Sequence, residues 1–364
     1  MSLLDVHGLT VDFATSDGVV HAVRGVSFEI AAGRTLGVVG ESGSGKSVTV
    51  QTIAGLTRGA QVSGRALFEG QDLLTMSAAR LRLVRGAQIG IVFQDPLSSL
   101  HPHYSVGWQV AEVIRAHEHR TAGEVRRRVL ELFELVGIPQ PERRIDDYPH
   151  QFSGGMRQRV MIAIALALEP KLLIADEPTT ALDVTVQAQI LELLARLRDD
   201  LGLAVILISH DLGVIAEIAD EAMVMYAGSV VERAPLRVLF TNPHHPYTRG
   251  LLQALPSAGD RSRLKPIPGQ PPSLIHLPSG CPFHPRCPFV MDRCLDQVPP
   301  FQQVGGAGHE SACWLPASLA GLGSAVDAKR RTFSRRAGSA HTQGLAASAA
   351  AAEVLEPQVG HGHP

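Results

Sequence analysis

The run Gly40-Glu41-Ser42-Gly43-Ser44-Gly45-Lys46-Ser47 fits the phosphate-binding pattern G-x-x-x-x-G-K-[ST] at every fixed position. Gly43 and Gly45 let the backbone curl with its N–H groups turned inward, a geometry that side chains would obstruct. Lys46 can reach outer phosphates, and the Ser47 hydroxyl can coordinate Mg²⁺, a hard cation that prefers oxygen. The chemistry this predicts is the holding of a nucleotide. Such a loop needs a strand before it and a helix after it. Thr35 to Val39 is a short apolar strand, and Ser47-Val48 opens a helix-forming segment whose positive end completes the cradle.

Other polar residues fall where buried strands should end. Leu172 to Ala175 is apolar on consecutive positions, as in a strand covered on both faces, and it delivers Asp176 and Glu177 at its carboxyl end. Ile190, Leu193, Leu194, Leu197 and Leu201 mark an amphipathic helix ending near Gly202, and Ala204 to Ile208 makes a further strand ending at Ser209-His210. Ile89 to Phe93 is a compact apolar run ending at Gln94, before the break at Asp95-Pro96. Phe152-Ser153-Gly154-Gly155-Met156-Arg157-Gln158-Arg159 precedes a buried run, Val160 to Leu168, so Ser153 to Gly155 open a helix and form a second anion-binding terminus. One chain around one nucleotide has no need of two. The expectation is a dimer in which each subunit offers its Ser-Gly-Gly helix start to the nucleotide held by the other.

The remaining elements must position these groups. The chain opens with strands around a turn at Ser16-Asp17-Gly18, turns helical from about Val106 to Val136, and closes its first part with a hairpin around Ala227-Gly228. Arg126-Arg127-Arg128 reads as the wet face of a helix. Beyond about residue 240 proline becomes frequent, so an appendage with sparse regular structure is expected. From about Leu319 the chain is mostly Ala, Gly and Ser with a short basic cluster, which reads as a disordered tail. At 364 residues and 45% hydrophobic content the chain can bury sizeable cores. Its apolar runs stop short of a membrane span, and its first residues lack a secretory layout. A net charge of -2 with mixed signs argues against a broad basic face for nucleic acid.

The ordered set of phosphate loop, Gln94, Ser153-Gly154-Gly155, Asp176-Glu177, Ala181-Leu182-Asp183 and His210 closely resembles the ATP-binding subunits of ABC transporters. The resemblance covers residues 1 to about 235. It implies an α/β P-loop NTPase fold with a RecA-like core, an antiparallel β subdomain and a helical subdomain inserted at about 95–165. The corresponding division is a cassette at 1–240, an extension at 241–318 and a tail at 319–364. Phe13 lies where this family stacks an aromatic ring on adenine, though a core phenylalanine on a strand fits as well. By the same resemblance Asp176 holds Mg²⁺, Glu177 polarises the attacking water, His210 senses the γ-phosphate, and Gln94 couples the metal to the helical subdomain. Glu41, Ser42, Ser44 and Val48 line the nucleotide with the rest of the loop, and Asp183 joins it from beyond the acidic strand end. Phe152 and Met156 depart from the commonest signature, which has leucine and glutamine there. The Phe-Ser-Gly-Gly-Met-Arg-Gln-Arg form, the run Asp176 to Thr185 and Asn242-Pro-His-His-Pro-Tyr-Thr248 instead look like dipeptide and oligopeptide importers.

Cys281, Cys287, Cys294 and Cys313 all lie in the proline-rich extension. In a reducing compartment a shared metal is favoured over disulfides. The spacing is not that of common paired zinc sites. Four thiolates suit a [4Fe–4S] cluster, as a similar extension in peptide-importer ATPases implies, but zinc or unmetallated thiols stay open.

The expectation is therefore an ATPase motor of a bacterial-type peptide importer at the cytoplasmic face of the inner membrane. Its partners would be two permease subunits, a second and different ATPase subunit and an extracytoplasmic solute-binding protein, with no nucleic acid. The rival is a soluble ABC protein acting on nucleic acid or ribosomes, and nickel chelates or glutathione are alternative solutes.

Overall fold

A computed structural model describes residues 2–95, 99–180, 182–255, 266–306 and 308–316. The opening strands β1 (Ser2–Thr15) and β2 (Gly18–Ala31) pair antiparallel around the expected turn. After β3 (Thr35–Val39) and α1 (Lys46–Ile53), β4 (Ala60–Phe68) and β5 (Gln71–Asp72) complete a four-stranded antiparallel sheet in the order β2-β1-β4-β5. The chain continues through α2 (Ala78–Ala87), β6 (Ile89–Val92), α3 (Val106–His117), α4 (Ala122–Leu135) and α5 (Gly154–Ala165). It then runs through β7 (Leu172–Asp176), α6 (Val184–Leu201), β8 (Ala204–Ser209), α7 (Leu212–Ile218), β9 (Glu221–Tyr226) and β10 (Ser229–Pro235). Beyond these lie α8 (Leu236–Thr241), α9 (Pro246–Gln253), β11 (Gln302–Gln303) and β12 (Glu310–Ser311).

The main sheet runs β11-β12-β10-β9-β3-β8-β7-β6, and its strands β9, β3, β8, β7 and β6 are parallel. Their near-continuous apolar sequences follow from burial on both faces. Val205 and Leu207 of β8 enter one core, with α3 to α7, whereas Ala204, Ile206 and Ile208 enter the other, with α1 and the antiparallel sheet. Leu173 and Ala175 of β7 divide from Leu172 and Ile174 in the same way. Every parallel strand therefore ends its carboxyl terminus on one rim, where the site lies.

The helices have local causes. Thr121 and Glu124 form a reciprocal capping box that starts α4, and Gly202 ends α6 at φ +64°. Arg126 and Arg127 are exposed, and Arg128 pairs with Glu169 at 2.9 Å, so the basic triplet is a solvated face. α3 and α4 pack on each other and on α5. Among the described residues no helix is long and apolar enough to cross a membrane.

The extension differs from the expected appendage in two respects. Pro246 sits in the first turn of α9 and His245 caps it, accepting from the Tyr247 N–H, because a proline at a helix start loses no hydrogen bond. β12 also pairs with β10 through Glu232 and Arg233, so part of the extension continues the main sheet. The expected tail, Ala181 and Pro96 lie outside the described residues.

Candidate functional site

The phosphate loop joins β3 to α1 as its sequence requires. Gly45 adopts φ +99°, and a Cβ there would stand 2.4 Å from the Ala22 carbonyl oxygen, so only glycine fits the turn. Lys46 is buried, and its Nζ donates to the Gly40 and Glu41 carbonyls at 2.8 and 2.9 Å. The Ser47 hydroxyl donates to Asp176 Oδ1 at 2.8 Å, which brings the loop to the end of β7. Glu41 is half-buried, Ser42 is exposed, and Val48 packs on the core beneath the loop. The Ser44 hydroxyl is buried with no hydrogen-bond partner among the described residues.

Glu177 follows β7 with φ +48°, a strained conformation for a residue with a side chain, costing of order 1 kcal/mol. Its N–H donates to the Ile208 carbonyl at 3.1 Å, which ties it to β8. Three side chains converge on its Oε2: Gln94 Nε2 at 3.1 Å, Thr180 Oγ1 at 2.8 Å and His210 Nδ1 at 3.3 Å. Gln94, Glu177 and His210, expected from three separate strand ends, are thus in one network. Sequence reasoning gave Thr180 no role; its hydroxyl next to an acidic strand end was the available signal.

Burial pushes the Lys46 ammonium below its ordinary pKa, against the charges of Glu177, Asp176 and Glu41, which raise it. Burial likewise raises Asp176, as does Glu177, while the Ser47 hydrogen bond and Lys46 pull it down. These residues fit a magnesium-bound triphosphate. They supply a glycine cradle closed to any Cβ at Gly45, a buried unpartnered hydroxyl at Ser44, a buried cation, and two oxygen donors in contact at Ser47 and Asp176.

A second set lies apart from this network. Ser153 is the exposed N-cap of α5, its hydroxyl accepting from Met156 N–H at 3.4 Å. A Cβ on Gly155 would stand 2.4 Å from Val186, so the helix start is pressed onto α6. Gly154 lies against Leu182, and Asp183 caps α6 by accepting from Thr185 and Val186. Phe13 is half-buried on β1 opposite Val20 and Ala60, packed on the core of the antiparallel sheet.

Cys281, Cys287, Cys294 and Cys313 line one small cavity with His245, His284 and Phe283. Burial pushes the Cys281 thiol up to about 11 and the Cys313 thiol to about 12, and raises Cys287. Among the described residues no group of three or more His, Cys, Asp or Glu stands as a metal-ligand set. The thiols line one cavity, but they do not stand as the ligand set that the expected cluster needs.

Fold and site together define a P-loop nucleotide hydrolase of the ABC class. The chain matches the ABC transporter family over residues 23–180 and the oligopeptide/dipeptide transporter C-terminal region over residues 231–294. It is 49% identical over 317 residues to the oligopeptide transport ATP-binding protein OppD of Haemophilus influenzae, covering 86% of this chain and 98% of that one. It is 50% identical over 317 residues to the dipeptide transport ATP-binding protein DppD of Bacillus subtilis, covering 86% and 94%. Among solved structures it is similar to the dimeric ATP-binding cassette MJ0796 in a post-hydrolysis state with ADP and Pi. There the TM-score is 0.58 at 27% identity, over 64% of this chain and 98% of that one. The chain belongs to the ABC transporter ATP-binding family, in its oligopeptide/dipeptide branch, and is an ATPase.

Proposed function

We propose that this chain is the motor subunit of a peptide importer, binding ATP in its phosphate loop and hydrolysing it with Glu177 as general base. The observation that carries the reading is the convergence of Gln94, Thr180 and His210 on one oxygen of Glu177, beside the Ser47–Asp176 contact. Both named relatives and the match to the oligopeptide/dipeptide region support peptides as the solute.

In this reading the backbone of Gly40 to Ser47 and the Lys46 ammonium bind the phosphates, and Phe13 stacks on the adenine. Ser47, Asp176 and Gln94 would hold Mg²⁺, which would neutralise phosphate charge when bound. Glu177 Oε2 is fixed by its three donors, so its other oxygen is left to orient water and accept its proton as that water attacks phosphorus. His210 lies within reach of the same carboxylate and stabilises charge developing on the transferred group. Ser153, Gly154 and Gly155 start a helix whose positive end can receive a phosphate. They serve the nucleotide of a second ATPase subunit, with Asp183 beside the same junction.

The partners are two membrane permeases, a second, different ATPase subunit and an extracytoplasmic solute-binding protein, with the chain peripheral on the cytoplasmic face of the inner membrane. Residues 1–240, with a helical insertion at 95–165, form the motor and 241–318 its extension. The gathering of four thiols in one cavity supports a shared [4Fe–4S] cluster there, with zinc as the alternative, and iron and acid-labile sulfide analysis of anaerobically purified protein decides between them. The function itself is tested by reconstituting the complex in liposomes. Peptide presented by the binding protein is expected to accelerate ATP turnover, and turnover indifferent to every peptide would overturn the reading.

A further inference from the structure

The phosphate loop is held from a distance. Arg286, whose side chain is only 4% exposed, forms a two-pronged ion pair with Glu41, the second residue of the loop: Nη1 to Oε2 at 2.6 Å and Nη2 to Oε1 at 2.9 Å. The guanidinium is itself fixed. Its Nε donates to the Pro268 carbonyl at 2.9 Å, and it lies over the Tyr226 and Phe283 rings at 5.8 and 6.0 Å. A second anchor reaches the same residue, because the Glu41 N–H donates to Tyr247 Oη at 2.8 Å and Tyr247 is fully buried. Tyr226, Tyr247 and Phe283 pack ring against ring at 4.7 to 5.4 Å, so both anchors stand on one aromatic block.

Two consequences follow for an anion in this loop. A glycine-rich segment has many conformations to lose on binding, and fixing Glu41 at its backbone and its side chain removes part of that loss beforehand. The Glu41 carbonyl is also one of the two that Lys46 Nζ bonds, so the anchors reach the lysine through a single residue. The second consequence is electrostatic. A carboxylate in an anion cradle opposes a triphosphate, and a paired guanidinium with fixed geometry cancels that charge.

We propose that Arg286 and Tyr247 of the extension are positioning residues for ATP, which hold Glu41 and neutralise it so that the phosphate loop is preformed. The proposal rests on the reading of Gly40 to Ser47 as the ATP site and deepens it: the extension is part of the nucleotide site. The oligopeptide-type extension thereby gains a task within this chain, separate from any partner it meets.

The test uses the purified full-length chain, titrated with Mg·ATP by calorimetry, with melting temperature measured on each variant. Arg286→Met leaves Glu41 unpaired and is expected to weaken ATP binding about tenfold, the usual scale of one charge-assisted contact. Adding Glu41→Gln to that variant removes the bare carboxylate and is expected to restore affinity to within about threefold of the original chain. A merely structural Arg286 would give no such rescue, since the lost packing stays lost. Tyr247→Phe, which deletes only the hydroxyl, is expected to weaken binding about threefold. Unchanged affinity in folded Arg286→Met, or a further loss on adding Glu41→Gln, overturns the proposal. Should Arg286→Met not fold, the neutral Arg286→Gln, with and without Glu41→Gln, carries the same comparison. Failure of the original chain to bind ATP would instead overturn the reading of the site, so the two failures are distinct.

Discussion

Glu177 and Glu232 are both carboxylates with three close hydrogen-bond partners, yet they are built for different ends. The partners of Glu177 are all side chains, they meet at one oxygen, and the residue sits in a strained backbone conformation at a strand end. Glu232 lies mid-strand in β10 with no exposed surface and uses both oxygens. Oε1 accepts from His244 N–H at 2.6 Å and stands 2.9 Å from His309 Nε2, and Oε2 accepts from His245 N–H at 2.8 Å. Counting hydrogen bonds does not separate the carboxylate proposed to react from the structural one. The separation comes from who donates and whether an oxygen is left over. Backbone donors pin a chain segment, here the start of α9, whereas side-chain donors hold only the carboxylate itself, as the proposed role of Glu177 requires.

The comparison breaks most visibly at Glu177→Gln. ATP turnover is expected to fall about 10³-fold, about 4 kcal/mol in the barrier, with ATP affinity retained because the cradle is untouched. Rapid steady-state turnover in that variant would remove Glu177 from its role. Glu232→Ala should act on stability instead. It strands two buried N–H groups and a histidine, and a loss of about 3 to 4 kcal/mol is expected in denaturant unfolding. A loss below about 1 kcal/mol would show that Glu232 does not anchor the extension.

A smaller effect sharpens the structural side of the contrast. Burial lowers His245 to about 4, against the charge of Glu232, which raises it, while His244 and Arg249 lower it further. The unfolded residue takes a proton below about 6.5, so between about 6.5 and about 4 the unfolded state binds more protons and stability falls as pH falls. His245 accounts for up to about 3 kcal/mol of that slope. His245→Asn keeps an acceptor for the cap of α9 and should flatten the slope in this window; an unchanged slope would assign it to other groups.

The strand-end residues that the structure gathers were legible in the sequence because each is fixed by its own neighbourhood. An apolar run ends, a polar residue follows, and the strand's carboxyl end supplies the location for Gln94, Asp176, Glu177 and His210 alike. The buried strands were legible for the same reason. The extension was not. Arg286 meets Glu41 across 245 positions and His309 meets Glu232 across 77, distances over which no periodicity carries information. The prolines of Asn242 to Tyr247 read as breakers, although Pro246 starts a helix, because proline in a first turn obeys the opposite rule. Ser153 to Gly155 were read as a helix start in correct register, and the expected second subunit was inferred from that second anion-binding terminus alone.

ATP affinity and ATP turnover should separate in Ser153→Arg, measured in the complex with the second ATPase subunit. Affinity of this chain's own site is expected to stay within about twofold while turnover falls at least about a hundredfold, since the altered helix start is the one proposed to serve the neighbouring nucleotide. Affinity at this chain's own site and turnover falling together would place Ser153 in its own chain's site and contradict the two-subunit arrangement.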